Sequence, residues 1–147
     1  MVSKHGQARR ETAARVVARL IARDGRLDWR EIEFLERSGA FGMLGVARER
    51  FMELVGRCLG EQAAAPESAA QLEAELGAVR ERDAQLVVAA LLVYLSEIDH
   101  DVQPRESALV SRALRQWGLT PEALHSEIRV PAERTRSVLR RAGAGGA

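Results

Sequence analysis

Ten consecutive apolar or aromatic residues, Leu86-Val87-Val88-Ala89-Ala90-Leu91-Leu92-Val93-Tyr94-Leu95, stand in a chain of which 29% is charged. A bilayer crossing takes about 20 such residues, so this run is too short to span a membrane and must be hidden by the rest of the chain. It is apolar nearly all round and not along one stripe. That pattern predicts a helix over about 82–98 at the centre of a bundle, with neighbours on every side. Nowhere does the sequence alternate apolar and polar residues for long enough to suggest a strand, so the expected class is all-α.

The flanking segments supply the neighbours. Ala13, Val16, Val17, Leu20 and Ile21 recur at three- and four-residue spacing and predict a helix over about 8–23, closed by Asp24-Gly25. A second helix is expected from Trp29 to about Ser38 with Ile32, Phe34 and Leu35 inward, after which Gly39, Gly42 and Gly45 read as breaks. A third, about 46–59, places Phe51, Leu54, Val55 and Cys58 on its buried side, and 60–66 reads as a short linker. A weaker helix follows on Leu72 and Leu76. Pro104, Thr120-Pro121 and Pro131 each suit a first helical turn and predict three more starts. At 147 residues the chain has the size of one domain. The expectation is a compact bundle of about seven helices, a single domain over 1–142, and a glycine-rich tail at 143–147 expected to be disordered.

The chain also repeats itself at an offset of 75. Residues 16–24 align with 91–99, and Asp24-Gly25-Arg26-Leu27-Asp28-Trp29-Arg30-Glu31 then lies over Asp99-His100-Asp101-Val102-Gln103-Pro104-Arg105-Glu106. The first Asp, the apolar fourth position and the closing Glu coincide. With one residue inserted, Phe41-Gly42 matches Trp117-Gly118. Each half is therefore a helix, an acidic bend and a second helix, so a pseudo-twofold arrangement is expected.

Two readings of the acidic bends stand side by side. In the first, Asp28 caps the helix starting at Trp29, Glu31 returns the bond three residues on, and Leu27 pins the bend to the core. Gln103, Pro104, Glu106 and Val102 take the same roles in the second copy. In the other, Asp24, Asp28 and Glu31, with Asp99, Asp101 and Glu106 as a second set, are hard oxygen ligands for calcium, magnesium or manganese. An EF-hand is excluded, because Pro104 sits where that loop needs glycine and Val110 where it needs its bidentate glutamate.

These residues resemble a known family. Asp-x-x-apolar-x-x-x-Glu, repeated after an Ala/Leu/Val-rich helix and before an aromatic-glycine pair, is similar to the TerB-like domain of bacterial tellurite-resistance proteins. The resemblance covers about 10–128, and its clearest marks are Asp24-Gly25 with Glu31 and Asp99 with Glu106. His100 departs from the usual Asp-Gly. The resemblance implies an all-helical pseudo-symmetric bundle, cytoplasmic or at the inner face of a membrane. It also implies divalent metal at the acidic motifs, and a role in tellurite and stress responses alongside protein partners. The co-chaperone role of related domains is not carried over, since no His-Pro-Asp motif is present.

Charge and reactive residues narrow the remaining classes. The net charge is +1, which gives no bulk attraction to nucleic acid or anionic lipid. Residues 1–30 carry eight basic side chains against three acidic ones and 129–147 carry five against one, so a basic face is expected if the termini meet. Cys58, the single cysteine, reads as core. No phosphate loop, nucleophile elbow or zinc-ligand pairing occurs, and the expectation is a non-enzyme that binds a protein. Trp117-Gly118-Leu119-Thr120-Pro121 is compatible with the turn of a DNA-reading motif, but the helix after it carries Glu122 and Glu127.

Overall fold

In a computed structural model the chain is described over residues 4–23, 25, 27–65, 68–98 and 104–145, with side chains at 4–10, 104–106 and 142–145 outside that description. These residues form helices α1 (Lys4–Ile21), α2 (Trp29–Arg37), α3 (Ala40–Leu44), α4 (Arg48–Ala64), α5 (Ala69–Gly77), α6 (Arg82–Ile98), α7 (Pro104–Gln116), α8 (Pro121–Ile128) and α9 (Ala132–Gly145). Among the described residues there is no strand. None of the described helices is long and apolar enough to cross a membrane.

The apolar run lies in α6, where Leu92, Val93 and Leu95 are 0–1% exposed. Six helices pack on it: α1, α2 and α3 from the first part of the chain, and α7, α8 and α9 from the second. α4 lies along α1, and α9 lies along α7. The stripes anticipated on the surrounding helices are the ones buried, including Val16, Val17, Leu20 and Ile21 of α1, Ile32 and Leu35 of α2, and Leu109, Val110 and Leu114 of α7.

Helix starts follow local chemistry. The Asp28 carboxylate accepts from the Arg30 N–H, Ser68 from Gln71 and Thr120 from Ala123, each satisfying an amide that the first turn leaves unbonded. At the end of α7, Gly118 takes φ 66°, with the Leu119 N–H donating to the Leu114 carbonyl (2.8 Å) and the Gly118 N–H to the Arg115 carbonyl (3.2 Å). That pair of bonds needs a left-handed residue, which glycine adopts without strain.

The described residues form nine helices where about seven were anticipated; the one segment not read as helical from sequence is α3, and glycines were misread there and in α4 and α9. Gly39 and Gly45, at φ 74° and 71°, do not break the chain but bracket a short extra helix, α3. α4 continues through Gly56 and Gly60 to Ala64, where a linker was expected; both glycines sit on exposed positions. Each costs a helix only about 1 kcal/mol, which packing of Phe51, Leu54, Val55 and Cys58 against the core outweighs. α9 likewise extends to Gly145, three residues into the expected tail.

Candidate functional site

Of the six acidic residues singled out, Asp28 and Glu31 have described side chains. Asp24, Asp99 and Asp101 lie outside the described residues, as does the side chain of Glu106 in α7. Asp28 is fully occupied. Its Oδ1 accepts from the Arg30 backbone N–H (2.9 Å) and from Arg30 Nε (3.2 Å), and its Oδ2 accepts from Arg30 Nη2 (2.9 Å). Glu31 is 3% exposed, tucked under the start of α2. Asp28 therefore caps α2 as the first reading has it, with Arg30 held against its carboxylate. Among the described residues no group of three or more His, Cys, Asp or Glu is placed to hold a metal ion.

The flanks of the two bends are arranged reciprocally. Arg23, which follows α1, opens onto the same cleft as Ala108, Ser111 and Arg112 of α7. Ile98, which ends α6, opens onto a second cleft with Arg30, Phe34 and Arg37 of α2, where the Phe34 and Tyr94 rings lie 6.1 Å apart. Arg23, at the end of α1, thus lies beside α7, and Ile98, at the end of α6, beside α2.

The larger of these clefts is the most site-like feature of the described surface. It is an open trough of about 880 Å³ between α5, α7, α8 and α9. Leu72, Leu114, Leu119, Leu139 and Pro121 line it, the first three of them almost wholly buried. Among the described residues Arg23, Arg112, Arg115 and one acid, Glu73, also line it, and Ser111, Gln116 and Thr120 add hydrogen-bonding groups. Its walls are fixed by long-range bonds. Trp117 Nε1 donates to the Leu76 carbonyl (3.0 Å), Gln116 Nε2 donates to the Glu73 carbonyl (2.9 Å), and Arg82 donates to the Trp117 carbonyl (3.2 Å). Such bonds hold α5, α7 and α6 in register, so the trough exists before anything enters it.

Many of the described arginines elsewhere pair with carboxylates, though Arg57, Arg80, Arg129 and Arg141 do not. Arg19, 3% exposed, donates to Glu75 through Nε (2.5 Å) and Nη2 (2.6 Å) and to Glu61 through Nη2 (2.8 Å), while Arg15 pairs with the same two acids. Burial works against the Arg19 charge, but hydrogen bonds to Glu75 and Glu61 prevail and hold its pKa above the ordinary arginine value. The Arg19 hydrogen bond also pulls Glu61 below the usual carboxylate value. At the other end Arg134 faces Glu97 (3.9 Å) and stacks 5.1 Å above the Tyr94 ring, and Arg136 pairs with Glu122 and Arg140 with Glu133. Among the described residues, most of the basic side chains near the termini are therefore tied to acids, several of them from the middle of the chain. By contrast, Arg112 and Arg115 are exposed and make no ion pair among the described residues.

Neither the buried Arg19 network nor the trough was anticipated from sequence. The one available signal for the network was Arg19 lying three residues after Val16 and one before Leu20, on the buried stripe itself. Cys58 is core, as expected; burial pushes its thiol pKa up.

Comparison with known proteins returned nothing: no family model, curated protein or solved structure matches the chain.

Proposed function

We propose that the chain is a TerB-like protein-interaction module, a helical platform without a chemical step of its own. It presents one preformed trough to a partner protein, in the cytoplasm or at the inner face of a membrane, in service of a tellurite or general stress response. The observation that carries the interaction reading is the trough, with α5 and α7 tied together by long-range bonds and with Arg112 and Arg115 exposed on it and without an ion pair among the described residues. Kinship with the TerB-like family is supported by the paired helix-bend-helix units. α2 begins at Trp29 and α7 at Pro104, 75 positions apart, which is the offset of the sequence repeat.

Site-specific photocrosslinking in cells tests the interaction. A benzophenone side chain at Ser111 or Thr120, both on the trough, is expected to capture a discrete protein. The same group at Arg57, an exposed position of α4 away from the trough, is expected to capture none. Capture from Arg57 alone, or from all three positions alike, contradicts the reading.

A second reading concerns divalent metal. It is favoured by the placement of Arg23 beside α7 and of Ile98 beside α2, and with Asp28 engaged by Arg30 the remaining ligand set is Asp24, Glu31, Asp99, Asp101 and Glu106. Calorimetric titration of the metal-stripped protein with calcium, magnesium and manganese decides it. Heat and a raised melting midpoint that vanish in Asp24→Asn/Asp99→Asn are expected; no heat and an unchanged midpoint refute it. A DNA-reading role has less support, because Glu122 and Glu127 on α8 are the partners of Arg136 and Arg82.

A further inference from the structure

Helix α5 is held differently from the rest of the bundle. Six of its nine residues are exposed, and only Leu72 and Leu76 enter the core, against nine buried side chains on α6. The other short helices, α3 and α8, lie directly on α6, whereas α5 packs on α7 and α1. Two leucines give it a small share of the apolar burial that binds the bundle. Its remaining links are polar. Glu75 accepts from Arg19 and Arg15 of α1, the Glu73 carbonyl from Gln116, and the Leu76 carbonyl from Trp117 Nε1. Such links resist separation weakly, because each freed group exchanges its partner for water. The buried ion pair follows the same rule: lifting α5 returns Glu75 to solvent and opens one side of Arg19, so recovered hydration offsets much of the lost attraction. Once detached, nine residues are too few to persist as a helix, and the chain entropy they regain favours the open form. Ala65 and Ser68, ahead of α5, are exposed and extended, with ψ 140° and 155°, while Val79 behind it is buried and anchors the following turn.

We infer that α5 is a strap: it lifts from α7 and α1 while the other helices stay folded, and in doing so uncovers apolar surface at the trough that the closed form hides. Leu114 and Leu119 share the trough with Leu72 of α5 and are 2% and 5% exposed, and Trp117, 8% exposed, reaches the Leu76 carbonyl. The opening rests on how α5 is held and not on the interaction reading above.

Hydrogen exchange of the full chain, followed by mass spectrometry across a series of low urea concentrations, tests the opening. The hydrogen-bonded amides of α5 are expected to exchange at least about 100-fold faster than those of α6, at rates nearly independent of urea, since a local opening exposes little surface. Those of α6 are expected to speed up steeply with urea. The uncovering has its own probe. Cys58 is the single cysteine, so Cys58→Ala/Leu119→Cys carries its only thiol at the trough and Cys58→Ala/Val93→Cys carries it inside α6. After thermal melts confirm that both variants fold, iodoacetamide is expected to label the first at a rate that ignores low urea and the second only as the whole chain unfolds. Exchange of α5 as slow and as urea-dependent as that of α6 overturns the strap. Fast exchange of α5 beside a Leu119→Cys thiol that labels only on global unfolding overturns it too, because the helix then frays in place without lifting. Neither result alters the photocrosslinking test of the interaction module.

Discussion

Replacing Glu75 with alanine strips the buried Arg19 of its principal counter-ion, and the structure sets the size of the effect. Arg19 retains 4% side-chain exposure and Glu75 15%, so water screens little of their attraction. Glu75 accepts two bonds from Arg19, at 2.5 and 2.6 Å, and one from Arg15 at 3.3 Å. Removing one partner of a buried pair typically costs about 3–5 kcal/mol, because the remaining charge stays desolvated without compensation. Glu61 still accepts from Arg19 at 2.8 Å, which places Glu75→Ala at the lower end, about 3 kcal/mol. With a urea slope of roughly 1.5 kcal/mol/M, the denaturation midpoint should fall by about 2 M. Removing both charges in Arg19→Met/Glu75→Leu should return stability to within about 1 kcal/mol of the parent, since no orphaned ion is left behind. Equilibrium urea unfolding of Glu75→Ala, of the double variant and of its component singles Arg19→Met and Glu75→Leu measures the loss and closes the cycle. A loss below about 1 kcal/mol for Glu75→Ala, or a double variant as unstable as the summed singles, refutes the argument.

Three further outcomes follow from other sites. Arg129 holds φ 65° at the end of α8, a left-handed conformation unfavourable for any residue with a Cβ, so Arg129→Gly should raise unfolding free energy by about 0.5–1 kcal/mol in the same assay; a decrease contradicts the strain argument. Thr135 Oγ1 is buried with no hydrogen-bond partner among the described residues, and Thr135→Val, which keeps the shape without the hydroxyl, should stabilise by about 1 kcal/mol as read from the thermal midpoint. Glu11 and Glu61 have folded-state pKa values below the ordinary 4.5, held there by the hydrogen bonds of Arg50 and Arg19 respectively. Their contribution is therefore present above pH 4.5 and is lost as the pH falls below it through the lowered values. Melting scans should show a midpoint that declines in that acid range, less steeply in Glu61→Gln; a flat profile would contradict the assignment.

Local chemistry made much of the fold readable in advance. The Asp28 and Thr120 caps, the prolines at 104 and 121, and the stripe of Val16, Val17, Leu20 and Ile21 each act within a turn or two of chain, where sequence spacing is spatial spacing. The glycines misled because identity alone does not say whether a glycine interrupts a helix or closes one. Gly39 and Gly45 close the ends of α3, and Gly56 and Gly60 ride on the wet face of α4. The trough and the Arg19 network were beyond reach for a different reason. Arg19 and Glu75 are separated by 56 positions, and Trp117 and Leu76 by 41, so their meeting depends on how α5 is laid across α1 and α7. At the bends, sequence reasoning placed Asp28 correctly at the head of α2, and the structure adds that Arg30 claims the carboxylate.

The position of α6 constrains how the chain can be made. A ribosome releases this helix before any of α7, α8 or α9 exists, at a moment when only α1, α2 and α3 are available to shield it. One flank of its leucines and valines then stays wet until the final third of the polypeptide emerges and swings over it. A split gene ending near residue 98 would therefore yield a sticky fragment, and neither side of the bundle can be inherited without the other.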